Sequence, residues 1–258
     1  MMKKFIIVSV VLACWTFYYV QNHMVKEPQP EKKEMTQKVD AVDLNTKKEK
    51  FFAALWPGMQ KENKRVESER TQLLEMKTLL SDKETIDGKQ LNIALRLSNA
   101  YNYALPESGV DDAWLNEMLL RVDVLPPSLV LTQAANESAW GTSRFAKEGN
   151  NFFGQWCYSE GCGLVPLQRV EGATHEVAKF DSPQESIHAY FMNVNRNAAY
   201  EKLRKIRAKL TEEGKNLKSE DAAIALTNGL LGYSERGQDY VDDLQSMIQH
   251  NSDYWVTQ

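Results

Sequence analysis

The chain has 258 residues, of which 43% are apolar, 26% charged and 10% aromatic, the composition of an ordinary globular protein rather than a fibrous or disordered one. Its 31 Lys and Arg against 35 Asp and Glu leave a net charge of −4. This balance argues against sequence-independent nucleic-acid binding, which needs surplus cations to displace counterions from phosphate. Three cysteines are too few for a disulfide-built scaffold, and four dispersed histidines too few for a zinc array.

Lys3 and Lys4 precede an uncharged run at 5–20. A short positive stretch followed by about sixteen mostly apolar residues reads as a signal peptide or uncleaved signal anchor over 1–25. The leading lysines keep the start inside and send the remainder out of the cytoplasm. Val11-Leu12-Ala13-Cys14 is also similar to a lipoprotein-processing box, with Cys14 as the lipidated residue, although bulky aromatics then follow where such proteins turn polar. Either route tethers the body outside the inner membrane. Residues 26–50 hold 13 charges and no aromatic, and Pro28 and Pro30 stiffen their start. That stretch reads as a solvated linker. The body then begins near Phe51.

One-sided apolar spacing predicts helices over 59–80, 91–101 and 111–122. Leu125-Pro126-Pro127 breaks the chain, and Pro127 can open a new helix because its missing N–H is not needed in the first turn. Ser182-Pro183-Gln184-Glu185 opens another, with an N-cap, a first-turn proline and a capping-box glutamate. Further helices follow over 198–210, 219–231 and 239–249. Only 161–180 lacks helical spacing; there 164–170 and 175–180 flank a turn at Glu171-Gly172. The reading is a mainly α domain over 51–258, with a helical extension over 51–125 and one small β-hairpin lobe.

Residues 128–155 carry the chemistry. The segment begins as a nearly uncharged helix whose first ionisable residue is Glu137, close to its C-terminal end. Burial there and the negative end of the helix dipole both favour the neutral carboxyl, the condition for a general acid. The competing reading is a glutamate that simply reaches water at a helix end.

The run Gln133-Ala134-Ala135-Asn136-Glu137-Ser138-Ala139-Trp140-Gly141 resembles the "QAALESGWG" signature of the bacterial glucosaminidases of glycoside hydrolase family 73. Asn151-Phe152-Phe153-Gly154 is similar to that family's "NLFG" segment. Gly232-Tyr233-Ser234, with Tyr240 and Leu244, is similar to its "YATDPxYxxKL" stretch. The blocks fall in the family's order across 127–251, with Ala139 standing where the family carries glycine. The resemblance implies a lysozyme-like helical fold acting on the glycan strands of peptidoglycan, and the N-terminal segment would hold that body at the periplasmic face of the bacterial inner membrane.

It also implies that Glu137 is the proton donor to the glycosidic oxygen. A second carboxylate would come from the hairpin lobe. Glu171 at the presumed turn is the first choice and Glu176 the second, with Glu160 and Asp181 near the lobe's ends. The alternative nucleophile is the substrate's own acetamido group, which would loosen the need for that carboxylate. Tyr233 matches the family's active-site tyrosine, which would stabilise developing charge or orient that acetamido group. Trp140, Phe153, Trp156 and Tyr240 are the expected glycan contacts, since sugar rings lie well on aromatic faces.

Cys157 and Cys162 outside the cytoplasm should oxidise to a disulfide that stiffens a small loop beside the cleft. No histidine or third cysteine lies at ligand spacing, so neither a metal nor another cofactor is expected. The leading expectation is cleavage after N-acetylglucosamine. A lytic transglycosylase, an N-acetylmuramidase and a non-catalytic peptidoglycan-binding protein are the alternatives.

Overall fold

The computed structural model describes residues 31–256 apart from 168, 170 and 171, and for 31–42 the backbone alone. The chain divides into two units, 1–46 and 47–258. In the first, the described residues are helical. The signal segment, Cys14 and Glu171 lie outside the described residues. Among those that are described, no helix is long and apolar enough to cross a membrane.

Helix α1 (Glu31–Ser81) runs through Pro57. It therefore includes most of the stretch expected as a solvated linker. Lys, Glu and Gln, which dominate that stretch, are strong helix formers, so polarity there does not break the helix. In the second unit α1 buries Phe52, Leu55, Met59, Val66, Leu73 and Met76, a stripe at helical spacing. Helix α2 (Gly88–Tyr101) opens on a complete capping box between Asp87 and Gln90, and α3 (Asp112–Arg121) is capped by Asp111.

Helix α4 (Pro127–Ser138) forms the centre. Every residue from Ser128 to Ala135 is buried, as is Ser138. A helix hidden on nearly all faces needs cover from several sides, and α8 (Glu220–Thr227) and α9 (Gln238–His250) supply it. Between them in the chain come α5 (Arg144–Gly149), α6 (Pro183–Arg196), a 3-10 turn (Ala198–Tyr200) and α7 (Glu201–Glu212), and α10 (Asp253–Val256) closes the described chain. Ser182 caps α6 as expected, although Glu185 reaches back to the Asp181 N–H rather than to that of Ser182.

The corner that launches α4 is pinned by Arg207 of α7. Its guanidinium donates to the carbonyls of Leu120, Arg121, Asp123 and Val124 and to Asn195 Oδ1 at 2.7–3.3 Å. The carbonyls belong to the end of α3 and the turn after it, where a helix leaves its last acceptors without intrahelical donors. Burial pushes the guanidinium's pKa down to about 10, against the opposing charge of Asp123.

The molecule is mainly α with a small β lobe, the class expected of a lysozyme-like domain. The lobe is a three-stranded antiparallel sheet rather than a simple hairpin. Strands β1 (Trp156–Cys157), β2 (Gly163–Leu164) and β3 (Glu176–Ala178) lie in the order β1-β3-β2. β2 stops before Pro166, which has no N–H for a ladder. Gly163 is required where the strands meet, because a Cβ there would sit 2.0 Å from the Val177 carbonyl oxygen.

Candidate active site

Glu137 occupies the last turn of α4, half-buried on the wall of a cleft of about 550 Å³. Its two oxygens have different surroundings. Oε1 accepts hydrogen bonds from the Tyr240 hydroxyl at 2.9 Å and from Asn136 Nδ2 at 3.2 Å. Oε2 faces Gly154, where a Cβ would lie 3.9 Å away. Gly154 has φ +63°, a conformation that favours glycine, and its lack of a side chain leaves this oxygen open to the cleft.

The bond to Oε1 is the end of a chain. Tyr190 of α6 donates to Gln133 Oε1, Gln133 Nε2 donates to the Tyr240 hydroxyl at 3.0 Å, and Tyr240 donates to Glu137. A phenol has one proton, so with Gln133 filling its acceptor side Tyr240 directs that proton at Glu137. Burial, then the neighbouring Glu137 charge, pushes the pKa values of Tyr240 and Tyr233 well above the ordinary tyrosine range. Burial lifts Tyr200 to about 12. These tyrosines stay protonated near neutral pH and serve as donors, not as bases.

Tyr233 lines the cleft, stacked on Tyr240 with ring centroids 5.3 Å apart, and its hydroxyl donates to the Phe153 carbonyl at 3.0 Å. Its proton is thus engaged in holding the Phe153-Gly154 segment beside Glu137. Tyr240, 2% exposed, is not among the cleft-lining residues and supports the acid from behind rather than meeting a glycan.

The other expected glycan contacts separate clearly. Trp156 is 57% exposed on the cleft wall, and its other face stacks on His175 at 4.2 Å. Tyr158, 72% exposed, stands beside it. Phe153 is buried and stacked on Tyr190 at 4.2 Å, and it also lines the cleft beside Glu137. Trp140 packs against Phe51 and Phe52 of α1, with Lys48 over its ring, away from the cleft.

The lobe places its carboxylates elsewhere. Both oxygens of Glu176 are engaged, accepting from the N–H groups of Gly161 at 3.1 Å and Gly163 at 2.7 Å. Those two bonds hold its carboxyl below the usual range. Glu176 therefore clasps the loop that the Cys157–Cys162 disulfide closes, and does not reach the cleft. Glu160 and Asp181 do not line the cleft either, which leaves Glu137 as the one carboxylate among the described lining residues. The two cysteines and Glu176 lie close together, but with the sulfurs joined they present no thiolates to a metal.

Several cleft residues carry no sequence signal. Asn193, Arg196 and Asn197 come from the end of α6 and just beyond it, where local pattern reports only a helix terminus. Gln133 was legible as part of the motif but not as the residue that orients Tyr240.

The motif blocks thus converge on one carboxyl group, with Tyr233 and Tyr240 beside it, and the glucosaminidase family, described as mannosyl-glycoprotein endo-beta-N-acetylglucosaminidase, matches residues 113–253. The chain belongs to this family. The match covers α3 to α9 and the lobe, and leaves α1 and α2 outside. Protein bax of Escherichia coli (strain K12) is 39% identical over 136 residues, 53% of this chain and 46% of that protein. The alignment therefore spans about half of each. No solved structure matches.

Proposed function

We propose that the protein is a peptidoglycan hydrolase that cleaves the glycan strand after N-acetylglucosamine, with Glu137 as general acid. The observation that carries this reading is the unequal setting of the two Glu137 oxygens. Oε1 is held by Tyr240 and Asn136, while Oε2 faces the cleft beside Gly154. In this reading Oε2 carries the proton to the glycosidic oxygen as the anomeric C–O bond breaks, and water supplies the hydroxyl that completes hydrolysis. Trp156 and Tyr158 offer the sugar a flat apolar wall. Water is activated by Glu171, which lies outside the described residues, or the substrate's acetamido group takes the nucleophile's place. The body is held at the periplasmic face of the inner membrane by residues 1–25, a reading that rests on sequence alone.

The test is digestion of purified sacculi, with mass analysis of the reduced fragments. New reducing-end N-acetylglucosamine supports the proposal, and reducing-end muramic acid would redirect it to the alternate bond. Lysis that survives Glu137→Gln would sink the proton-donor role.

A second reading draws support from the same cleft. A lytic transglycosylase needs one acid only, and Glu137 is the one carboxylate among the described lining residues. Anhydro-muramic products would establish it.

A further inference from the structure

We infer that the cleft continues into a subsite that recognises the acidic peptide stems of its glycan, an assignment that rests on the peptidoglycan reading above. Asn193, Arg196 and Asn197 line the cleft of Glu137 and also a second cavity, of about 560 Å³. The other walls of that cavity are Asn99, Asn102, Arg121 and Ala198. Apart from Ala198, every lining side chain carries an amide or a guanidinium, and no described carboxylate is among them.

The two arginines differ in how they are used. Arg121 is engaged by Glu117 at 2.8 Å and donates to the Arg196 carbonyl at 2.8 Å. The Arg196 guanidinium makes one long hydrogen bond, to the Ala100 carbonyl at 3.4 Å, and no described carboxylate lies within 4.0 Å of it. Glu201, close in sequence, is paired with Lys205. Among the described residues, the side-chain amides of Asn99 and Asn102 have no hydrogen-bond partner in the protein. Capping of helix ends accounts for Arg121, but it leaves most of the five Arg196 donors and both amides unused.

A wall of donors around one unpaired cation suits a ligand rich in carbonyl and carboxylate oxygens. A neutral sugar chain offers hydroxyls and acetamido groups but no charge. A glycan whose alternate sugars carry short acidic peptides offers both amide carbonyls and carboxylates beside the scissile strand. Asn99 lies in α2 and Asn102 caps its C-terminal end, both outside residues 113–253, so the family-matching part supplies the acid while the extension completes the wall beside it.

The experiment measures binding by full-length protein carrying Glu137→Gln. The probes are stem-bearing glycan strands, the same strands stripped of peptide by an amidase, and neutral N-acetylglucosamine oligomers. Stem-bearing strands should bind at least about fivefold more tightly than stripped ones, the worth of one exposed charge-assisted contact. Adding Arg196→Gln should bring the two close to parity, and Arg196→Lys should retain part of the preference. Asn102→Gly provides a second arm should Arg196→Gln fail to fold. It removes the amide at a position with φ +51° that glycine adopts freely, and it should also narrow the preference.

Equal affinity for stem-bearing and stripped strands would overturn the subsite, as would a preference that survives both substitutions. A preference for stripped strands over neutral oligomers that Arg196→Gln abolishes would assign the site to the lactyl carboxylate and overturn the stem assignment. Failure of the unsubstituted protein to release any fragment would refute the hydrolase reading instead, without touching the binding comparison.

Discussion

The hydroxyl of Tyr240 lies 2.9 Å from Glu137 Oε1 and accepts a hydrogen bond from Gln133 Nε2 on its other side, so its single proton is committed to the carboxyl group. Gln133 is itself fully buried and oriented by Tyr190. The direction of the acid is therefore set from inside the core.

Gln133→Leu should lower turnover on peptidoglycan by roughly five- to 150-fold, the range for a buried hydrogen-bonding group left without its partner, about 1–3 kcal/mol. Tyr240→Phe should act in the same direction. The double variant should lose less than the product of the two, since both break one chain. Steady-state kinetics alongside thermal melts separates this from simple unfolding. A change confined to KM would show that the chain does not aim the acid.

Helix α4 ends on three successive left-handed residues, Ala139, Trp140 and Gly141, at φ +50°, +59° and +73°. Glycine accepts such angles freely, whereas alanine adopts them at a cost of about 1 kcal/mol. Ala139→Gly should stabilise the protein by about 1 kcal/mol, raising the melting temperature by roughly 2–4 °C for a body of this size. Ala139→Val should lower it by more. Calorimetry of the two variants reads both signs, and an unstable Ala139→Gly protein would show that the Ala139 methyl group makes an essential contact.

Glu176 holds the disulfide loop through two backbone amides, and those bonds keep its carboxyl below its unfolded value of 4.5. A depressed carboxylate contributes its full stabilisation above that value and loses it as pH falls through the lower folded-state pKa. The loop should therefore hold at neutral pH and loosen in acid below about 4.5. Protection of the Gly161 and Gly163 amides, taken relative to their intrinsic exchange rates, should fall there, and Glu176→Gln should show reduced protection already at neutral pH. Protection at these amides that stays constant from neutral pH into acid would contradict the clasp.

Arg207 satisfies four carbonyls and Asn195 at the corner before α4. Arg207→Leu should cost about 3–5 kcal/mol, because it leaves several of those interior acceptors without a donor, while Asp123 keeps its pair with Arg70. Arg207→Lys should restore only part, since an ammonium cannot span the same fork of acceptors. Denaturant melts give the order directly, and equal stability of all three proteins would refute the pinning role.

Much of this was legible because it is local. The proline pair before α4, the Ser182 cap and the family motif around Glu137 are short-range signals, and the motif also named Tyr233 and Tyr240. Trp140 was harder to place, since an aromatic beside an acid looks like a sugar platform until its packing partners are known. For Trp140 those partners are Phe51 and Phe52, about ninety residues earlier. Glu176 gave no hint of its two amide partners, which depend on how the disulfide loop folds over β3. Arg196, Asn99 and Asn102 become neighbours only through tertiary packing, and no periodicity announces that.

The buried position of Gln133 also decides where variation can be tolerated. A small molecule shaped to fill the cleft would press against Trp156, Tyr158 and Arg196, exposed side chains that can change at little expense to folding. Altering the aim of Glu137 instead requires a change at a residue with no solvent exposure, where the same substitution also injures the core. Resistance to such an inhibitor should therefore arise first at the rim, and a compound that gains its affinity from Glu137 Oε2 and Gly154 would leave the fewest viable routes of escape.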